Sequence, residues 1–144
     1  MKLLQMCDDT PASVMPENTV GDAIRLMLDH RVGAVAVVDA EQRVSGIFTE
    51  RDVLRKVALS GRDPNTVAIA ELMTTPVELA TTDTTAGEAL NAMIDSHFRH
   101  LPIVDGQGRL LGMLSVRNLL QARIDDLTHE LDCIEQYAND SAGG

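Results

Sequence analysis

Tryptophan is absent from this chain, tyrosine occurs once and phenylalanine twice. A core without large rings must be assembled from Val, Ile, Leu, Met and Ala. Hydrophobic residues make up 44% of the 144 positions, enough for one compact domain or two fused half-domains. No apolar run approaches the roughly 20 residues that cross a bilayer, so no membrane partner is expected. Basic residues are scarce: 12 Lys and Arg stand against 22 Asp and Glu, a net charge of −10. Such a surface repels nucleic acid and anionic lipid, which argues against nucleic-acid binding. Of cysteines there are two, Cys7 and Cys133, with no CxxC or CxxH spacing near either; both are expected to be ordinary reduced thiols. His30, His97, His100 and His129 follow no metal-ligand spacing, so no metal site is expected. The opening MKLLQMCDD reaches acid too soon for a signal peptide, which predicts a soluble, cytoplasmic protein.

What the chain does contain is itself, twice. Shifted by 66 positions, residues 19–54 fall on residues 85–120 without a gap, and 11 of the 36 positions are identical. The same shift lays LLQM (Leu3 to Met6) on IAEL (Ile69 to Leu72). This divides the chain into repeat one (1–62), repeat two (63–122) and an extension (123–144), with SGRDPNT (Ser60 to Thr66) as the linker. A repeat at fixed period is one structural unit copied, each copy unable to bury its apolar face alone.

Each copy reads as strand, helix, strand, strand, helix, an α/β (α+β) pattern. Thr19-x-x-Asp22 and Thr85-x-x-Glu88 are capping boxes that open a helix. Val20, Ala23, Ile24, Met27 and Leu28 follow helical spacing, as do Ala86, Ala89, Leu90, Met93 and Ile94. AVAVVD and LPIVD are short apolar runs ended by Asp, followed by turns at AEQ and GQG. VSGIF and LLGML are further strands, and ERDVLRKVALS is the closing helix of repeat one. Two such units packed sheet to sheet would bury a shared face, leaving two pseudo-symmetric clefts suited to small ligands.

The segment GIFTERDVL (46–54), echoed by GMLSVRNLL (112–120), supports two readings. Thr49-x-x-Asp52 and Ser115-x-x-Asn118 are capping boxes, and a cap needs no ligand. The same geometry also suits a nucleotide. A helix start with a free hydroxyl receives phosphate, while a carboxylate one turn in accepts the hydroxyls of a ribose diol. Gly46 lets backbone or ligand approach closely.

GAVAVVD, HLPIVD and GIFTERDVL, in this order and doubled over about residues 3–122, resemble a pair of CBS domains, the arrangement called a Bateman module. The resemblance implies two βαββα repeats with pseudo-twofold symmetry, a homodimer, and regulatory binding of AMP, ADP, ATP or S-adenosylmethionine, with no cofactor required. It also implies that the ribose acid of one repeat faces the start of the second strand of the other. Carried over residue by residue, Thr49 and Asp52 share a cleft with Phe98, Arg99 and His100. Arg99 would hold phosphate and His100 would add a pH-sensitive donor. Val77 and Met113 would line an adenine slot. The other cleft would pair Ser115 and Asn118 with Val32, Gly33 and Ala34; lacking carboxylate and cation, it is expected to be degenerate or empty. Arg99 and His100 also admit a bland reading, as a solvated basic pair or with Arg99 bonded to Asp95. Arg51 and Arg117, at matching positions, suit surface pairing.

Beyond the repeats, Leu120, Ile124, Leu127, Leu131, Ile134 and Ala138 recur at spacings of 4, 3, 4, 3 and 4, a heptad seam. It predicts a helix of about 20 residues, or ~30 Å, either paired with its mate in a dimer or packed on its own module. NDSAGG (139–144) is expected to be disordered. Three function classes follow: a ligand-sensing module acting on an unknown downstream protein, a ligand-free dimeric scaffold, and an enzyme. The last lacks a nucleophile–base pair or metal cluster in the sequence, so no catalytic residue is assigned.

Overall fold

The computed structural model describes residues 2–7 and 11–142, and in it the gapless repeat becomes two copies of one unit. The first comprises α1 (Leu3–Met6), β1 (Ser13–Val14), α2 (Val20–His30), β2 (Ala34–Val38), β3 (Val44–Thr49) and α3 (Glu50–Asp52). The second comprises α4 (Ile69–Leu72), β4 (Ala80–Thr81), α5 (Ala86–Ser96), β5 (His100–Val104), β6 (Leu110–Ser115) and α6 (Val116–Ala142). In each, the first strand lies parallel to the second, joined through a crossover helix, and the second and third form an antiparallel hairpin. Register repeats as well: Val14 opposes Val37, and Ala80 opposes Ile103. The short helices α1 and α4 are additions to the strand-first pattern that the sequence suggested.

Local chemistry explains the boundaries. Thr19 caps α2 reciprocally: its hydroxyl accepts from Asp22 N at 3.1 Å, and Asp22 accepts from Thr19 N at 2.9 Å. In repeat two half of the expected box is present, with Thr85 Oγ1 accepting from Glu88 N at 3.1 Å. Both helices end on a left-handed residue, Arg31 (φ 55°) and His97 (φ 58°).

Strand alternation builds the layers. Val35, Val37 and Phe48 join Val14, Val20, Ala23 and Met27 in one core between sheet and helix. Leu101, Ile103 and Leu114 join Ala80, Ala89, Met93 and Leu119 in the other. The alternate residues Ala34, Ala36, Val38, Pro102 and Val104 are buried too, on the opposite sheet faces. There β2 meets β6, and the β2–β3 and β5–β6 turns pair through Val44 N to Gly108 O (3.0 Å) and Leu110 N to Gln42 O (2.9 Å). Small residues at these positions let two sheets share a thin apolar layer, as a chain poor in aromatics requires.

The repeats exchange their first helices. Val67, Ile69, Leu72 and Met73, which open repeat two in sequence, pack into the core of repeat one. Thr74 continues this crossing as a strand-like bridge to Ile47, with N–O distances of 2.8 and 3.1 Å. Leu3, Met6 and Cys7 pack into the core of repeat two. Both glycines of the repeated motif make room for these crossings. A Cβ at Gly46 would lie 2.6 Å from Met73 Sδ and 3.1 Å from Thr74 O; one at Gly112 would lie 3.2 Å from Leu4 and 3.3 Å from Cys7 Sγ.

The two closing helices differ. After α3 the chain widens into a π turn at Val53–Val57 rather than the uninterrupted helix expected. Lys56, in that turn, donates to Leu72 O at 2.9 Å and Thr74 Oγ1 at 3.3 Å and pairs with Asp52 Oδ1 at 3.3 Å. The matching position in repeat two is Ala122, which has no such tether, and α6 runs on regularly. It continues through Ala142, so Asn139 to Ala142 are helical where disorder was expected; Gly143 and Gly144 lie outside the described residues. Leu119 joins the second core and Ala122 is buried, but every residue from Arg123 to Asn139 is exposed, so the helix does not fold back on its own module.

Candidate functional site

A cleft of about 960 Å³ opens between the repeats, at the upper end of the range of small-molecule sites, ~300–1,000 Å³. Thr49, Asp52, Val77, Phe98, Arg99 and His100 all line it. Thr49 arrives at the end of β3 and Asp52 at the first turn of α3. Phe98, Arg99 and His100 arrive from the left-handed exit of α5 and the start of β5, and Val77 follows the α4 crossing.

Asp52 is the buried charged residue of the described chain, at 7% exposure. Its Oδ2 accepts from Thr49 N at 3.0 Å and Thr49 Oγ1 at 3.3 Å, closing the capping box, while Thr49 Oγ1 accepts from Asp52 N at 3.2 Å. Thr74 Oγ1 lies 3.3 Å from Oδ1. With Lys56 beside it, the carboxylate is an acceptor held in place at the cleft wall by four neighbouring donors. Lys56 and Thr74 escaped the sequence reading; the i,i+4 spacing of Asp52 and Lys56 was the available signal.

Arg99 is exposed, and its guanidinium makes no hydrogen bond or ion pair among the described residues; the suggested pairing with Asp95 does not form. Its backbone carbonyl accepts from Val116 N at 2.9 Å, which fixes the strand that carries it. A fork of five donors thus faces the cleft uncommitted. Arg51 also lines the cleft and reaches across the repeats to donate to His97 O at 3.2 Å, rather than pairing with a surface acid. Arg55 adds a third guanidinium, while Glu50 and Glu78 place acid on the same walls. Burial depresses the pKa of His100 below the usual imidazole value, Glu50 opposes this by favouring the cation, and Arg99 adds to the depression.

Four residues lie elsewhere than the sequence suggested. Met113 sits on β6 opposite Pro102 and is not among the lining residues; its repeat-one equivalent, Ile47, is. The reason is the sheet to which each belongs: Ile47 shares β3 with Thr49, so the apolar wall comes from the same strand as the acid. Val32, placed with the second cleft, lines the first. Gly33 lies against Glu50 and His100: a Cβ there would be 3.0 Å from Glu50 Oε1 and 3.3 Å from His100 Cε1. Ala34 is buried opposite Thr49. At the symmetry-related position, Ser115 and Asn118 bond each other at 2.8 to 3.0 Å, with no carboxylate in the box. Among the described residues no cluster of His, Cys, Asp and Glu is arranged for a metal, and no helix is long and apolar enough to cross a membrane.

The doubled unit is matched by the family model of the CBS domain, over residues 5–59 and again over 69–125. The chain belongs to the CBS-domain family. A 17.7 kDa uncharacterized protein of Acidianus ambivalens is 37% identical over 124 residues, 86% of this chain and 74% of that protein. This CBS chain spans 54% to 74% of the length of the first curated relatives it matches. Among solved structures, a putative signal-transduction protein with CBS domains from Burkholderia ambifaria superposes with a TM-score of 0.79 at 33% identity, covering 88% of this chain and 96% of that one. The structure of CBSX2 in complex with AMP has the same fold, with a TM-score of 0.73 at 23% identity over 86% of this chain and 96% of the other.

Proposed function

We propose that this CBS pair is a regulatory module that binds an adenine nucleotide or adenosyl ligand between its repeats. One observation carries the reading: a single cleft unites the buried Asp52 on one wall with the uncommitted guanidinium of Arg99 and the half-buried His100 on the other. Asp52 would accept from the ribose diol, Arg99 and His100 would hold phosphate, and Ile47, Val77 and Phe98 would enclose the base. That a CBS protein of the same fold was solved with AMP supports the ligand class. The Ser115–Asn118 cleft, without acid or cation, would be silent. A homodimer and a downstream protein through which the ligand acts are part of the same proposal, and the function is binding rather than catalysis.

A second reading, a scaffold that has given up its ligand, is favoured by the closed hydrogen bonding of Asp52 to Thr49, Thr74 and Lys56. A thermal-shift panel separates the two. AMP, ADP, ATP or S-adenosylmethionine at 100 times its dissociation constant stabilises the folded state by about 2.7 kcal/mol. A flat response to all four rejects the nucleotide module and leaves the scaffold.

A further inference from the structure

Among the described residues, α6 carries a run of exposed apolar side chains with no packing partner. From Arg123 to Asn139 the helix is exposed at every position. Along it Leu120, Ile124, Leu127, Leu131 and Ile134 are 42–63% exposed. They stand at alternating steps of four and three with Ala138, so they form one stripe rather than scattered side chains. In proteins most helical stability comes from packing an apolar face rather than from propensity, and from Arg123 onward this face packs on nothing among the described residues. The stripe therefore needs an occupant.

We propose that the occupant is the same segment of a second copy, lying antiparallel. Assigning Leu120, Leu127 and Ile134 to position d and Ile124, Leu131 and Ala138 to position a places Arg123, Glu130 and Tyr137 at g and Gln121, Thr128 and Glu135 at e. A parallel pair brings each g residue to the e residue five positions on in its mate. That sets Glu130 against the mate's Glu135 twice and gives Arg123 only a threonine. An antiparallel pair matches e with e and g with g. With all six seam residues layered, Arg123 meets the mate's Tyr137 twice, Gln121 meets the mate's Glu135 twice, and Thr128 meets its own copy. A single pair of Glu130 side chains remains in conflict. Arginine against tyrosine is a favourable cation–π contact, and the like charges fall from two pairs to one. Charge pattern thus selects the antiparallel arrangement while the apolar stripe supplies the attraction. Three heptads is the short limit for such a pair, so association is concentration-dependent.

The proposal concerns α6 alone and is tested apart from nucleotide binding. In a full-length chain carrying Cys7→Ser and Cys133→Ser, a nitroxide is attached at His129→Cys or at Gln136→Cys, and interchain distances are measured by pulsed electron resonance. His129 lies level with its mate in either orientation. Gln136 lies level with its mate only in a parallel pair; in the antiparallel pair it is displaced by about 14 residues, or ~21 Å along the axis. The expected result is a short distance at position 129, a clearly longer one at 136, and loss of the 129 signal on adding Leu127→Asp and Leu131→Asp. Sedimentation equilibrium showing a monomer at every concentration overturns the proposal. So do equal distances at the two sites, or a 129 distance that survives the two aspartates.

Discussion

Replacing Asp52 with alanine separates a structural carboxylate from a ligand-binding one, because the two roles predict different readouts. In the folded chain the carboxylate closes the α3 capping box at 3.0 Å from Thr49 N and pairs with Lys56 at 3.3 Å. Losing the box costs about 1 kcal/mol. Lys56 retains Leu72 O at 2.9 Å and is about one-third exposed, so solvent takes up much of the lost pair and this adds roughly 0–1 kcal/mol. The sum, about 1–2 kcal/mol, is measurable by urea unfolding without ligand and leaves the module folded. If Asp52 also accepts a ribose diol, two charge-assisted hydrogen bonds disappear at about 1.5–3 kcal/mol each. Affinity for AMP measured by calorimetry then falls by at least about a hundredfold, taking 1.4 kcal/mol per tenfold. Asp52→Asn keeps an oxygen for Thr49 N and should recover most of the stability but little of the affinity. An Asp52→Ala protein that unfolds more readily yet binds AMP as tightly as the parent refutes the ribose assignment.

Other outcomes follow from neighbouring residues. Arg99→Ala should weaken binding of phosphorylated adenosines by roughly tenfold or more, with adenosine itself nearly unaffected and little change in unfolding free energy, since the side chain makes no bond among the described residues. His100 has a depressed pKa in the folded state, so its contribution to stability is complete above the ordinary value of 6.5 and is lost as pH falls below it toward the folded value. Unfolding experiments between pH 7.5 and ~5 should show the parent losing more stability than His100→Gln. Gly46→Val should destabilise by about 1–3 kcal/mol, because the added side chain meets Met73 Sδ at 2.6 Å and the Thr74 backbone at 3.1 Å; calorimetric melting measures it.

Sequence periodicity carried the hairpin strands and the crossover helices, because each depends on residues near one another in the chain. Thr19 and Thr49 announce helix starts with their own side chains, and the strands keep identical spacing in both copies. The exchange of α1 and α4 was not legible. LLQM and IAEL look like the beginnings of the repeats they precede, and only the space above Gly46 and Gly112 shows which sheet each one crosses. The same exchange brings Thr74, Pro76 and Val77 to the cleft beside Asp52. For the cleft itself, Thr49, Asp52, Phe98, Arg99 and His100 were found through motif position. Met113 was chosen in place of Ile47 because a repeat offers two equivalent positions and sequence alone does not say which wall each one faces. Lys56, within the π turn, anchors on Leu72 O and Thr74 Oγ1, tertiary contacts that no local pattern encodes.

The crossing of the two leading helices also limits what half of this molecule could be. A chain stopped at the linker would carry Leu3, Met6 and Cys7 with no second core to receive them, and its own sheet would lack the lid that Val67, Ile69 and Met73 provide. Two such fragments could complete each other by trading ends, so the smallest self-sufficient form of one repeat is a reciprocal pair. Gene fusion would then have turned an encounter between molecules into a permanent neighbourhood, freeing the two capping boxes to diverge until one kept its acid and the other an asparagine.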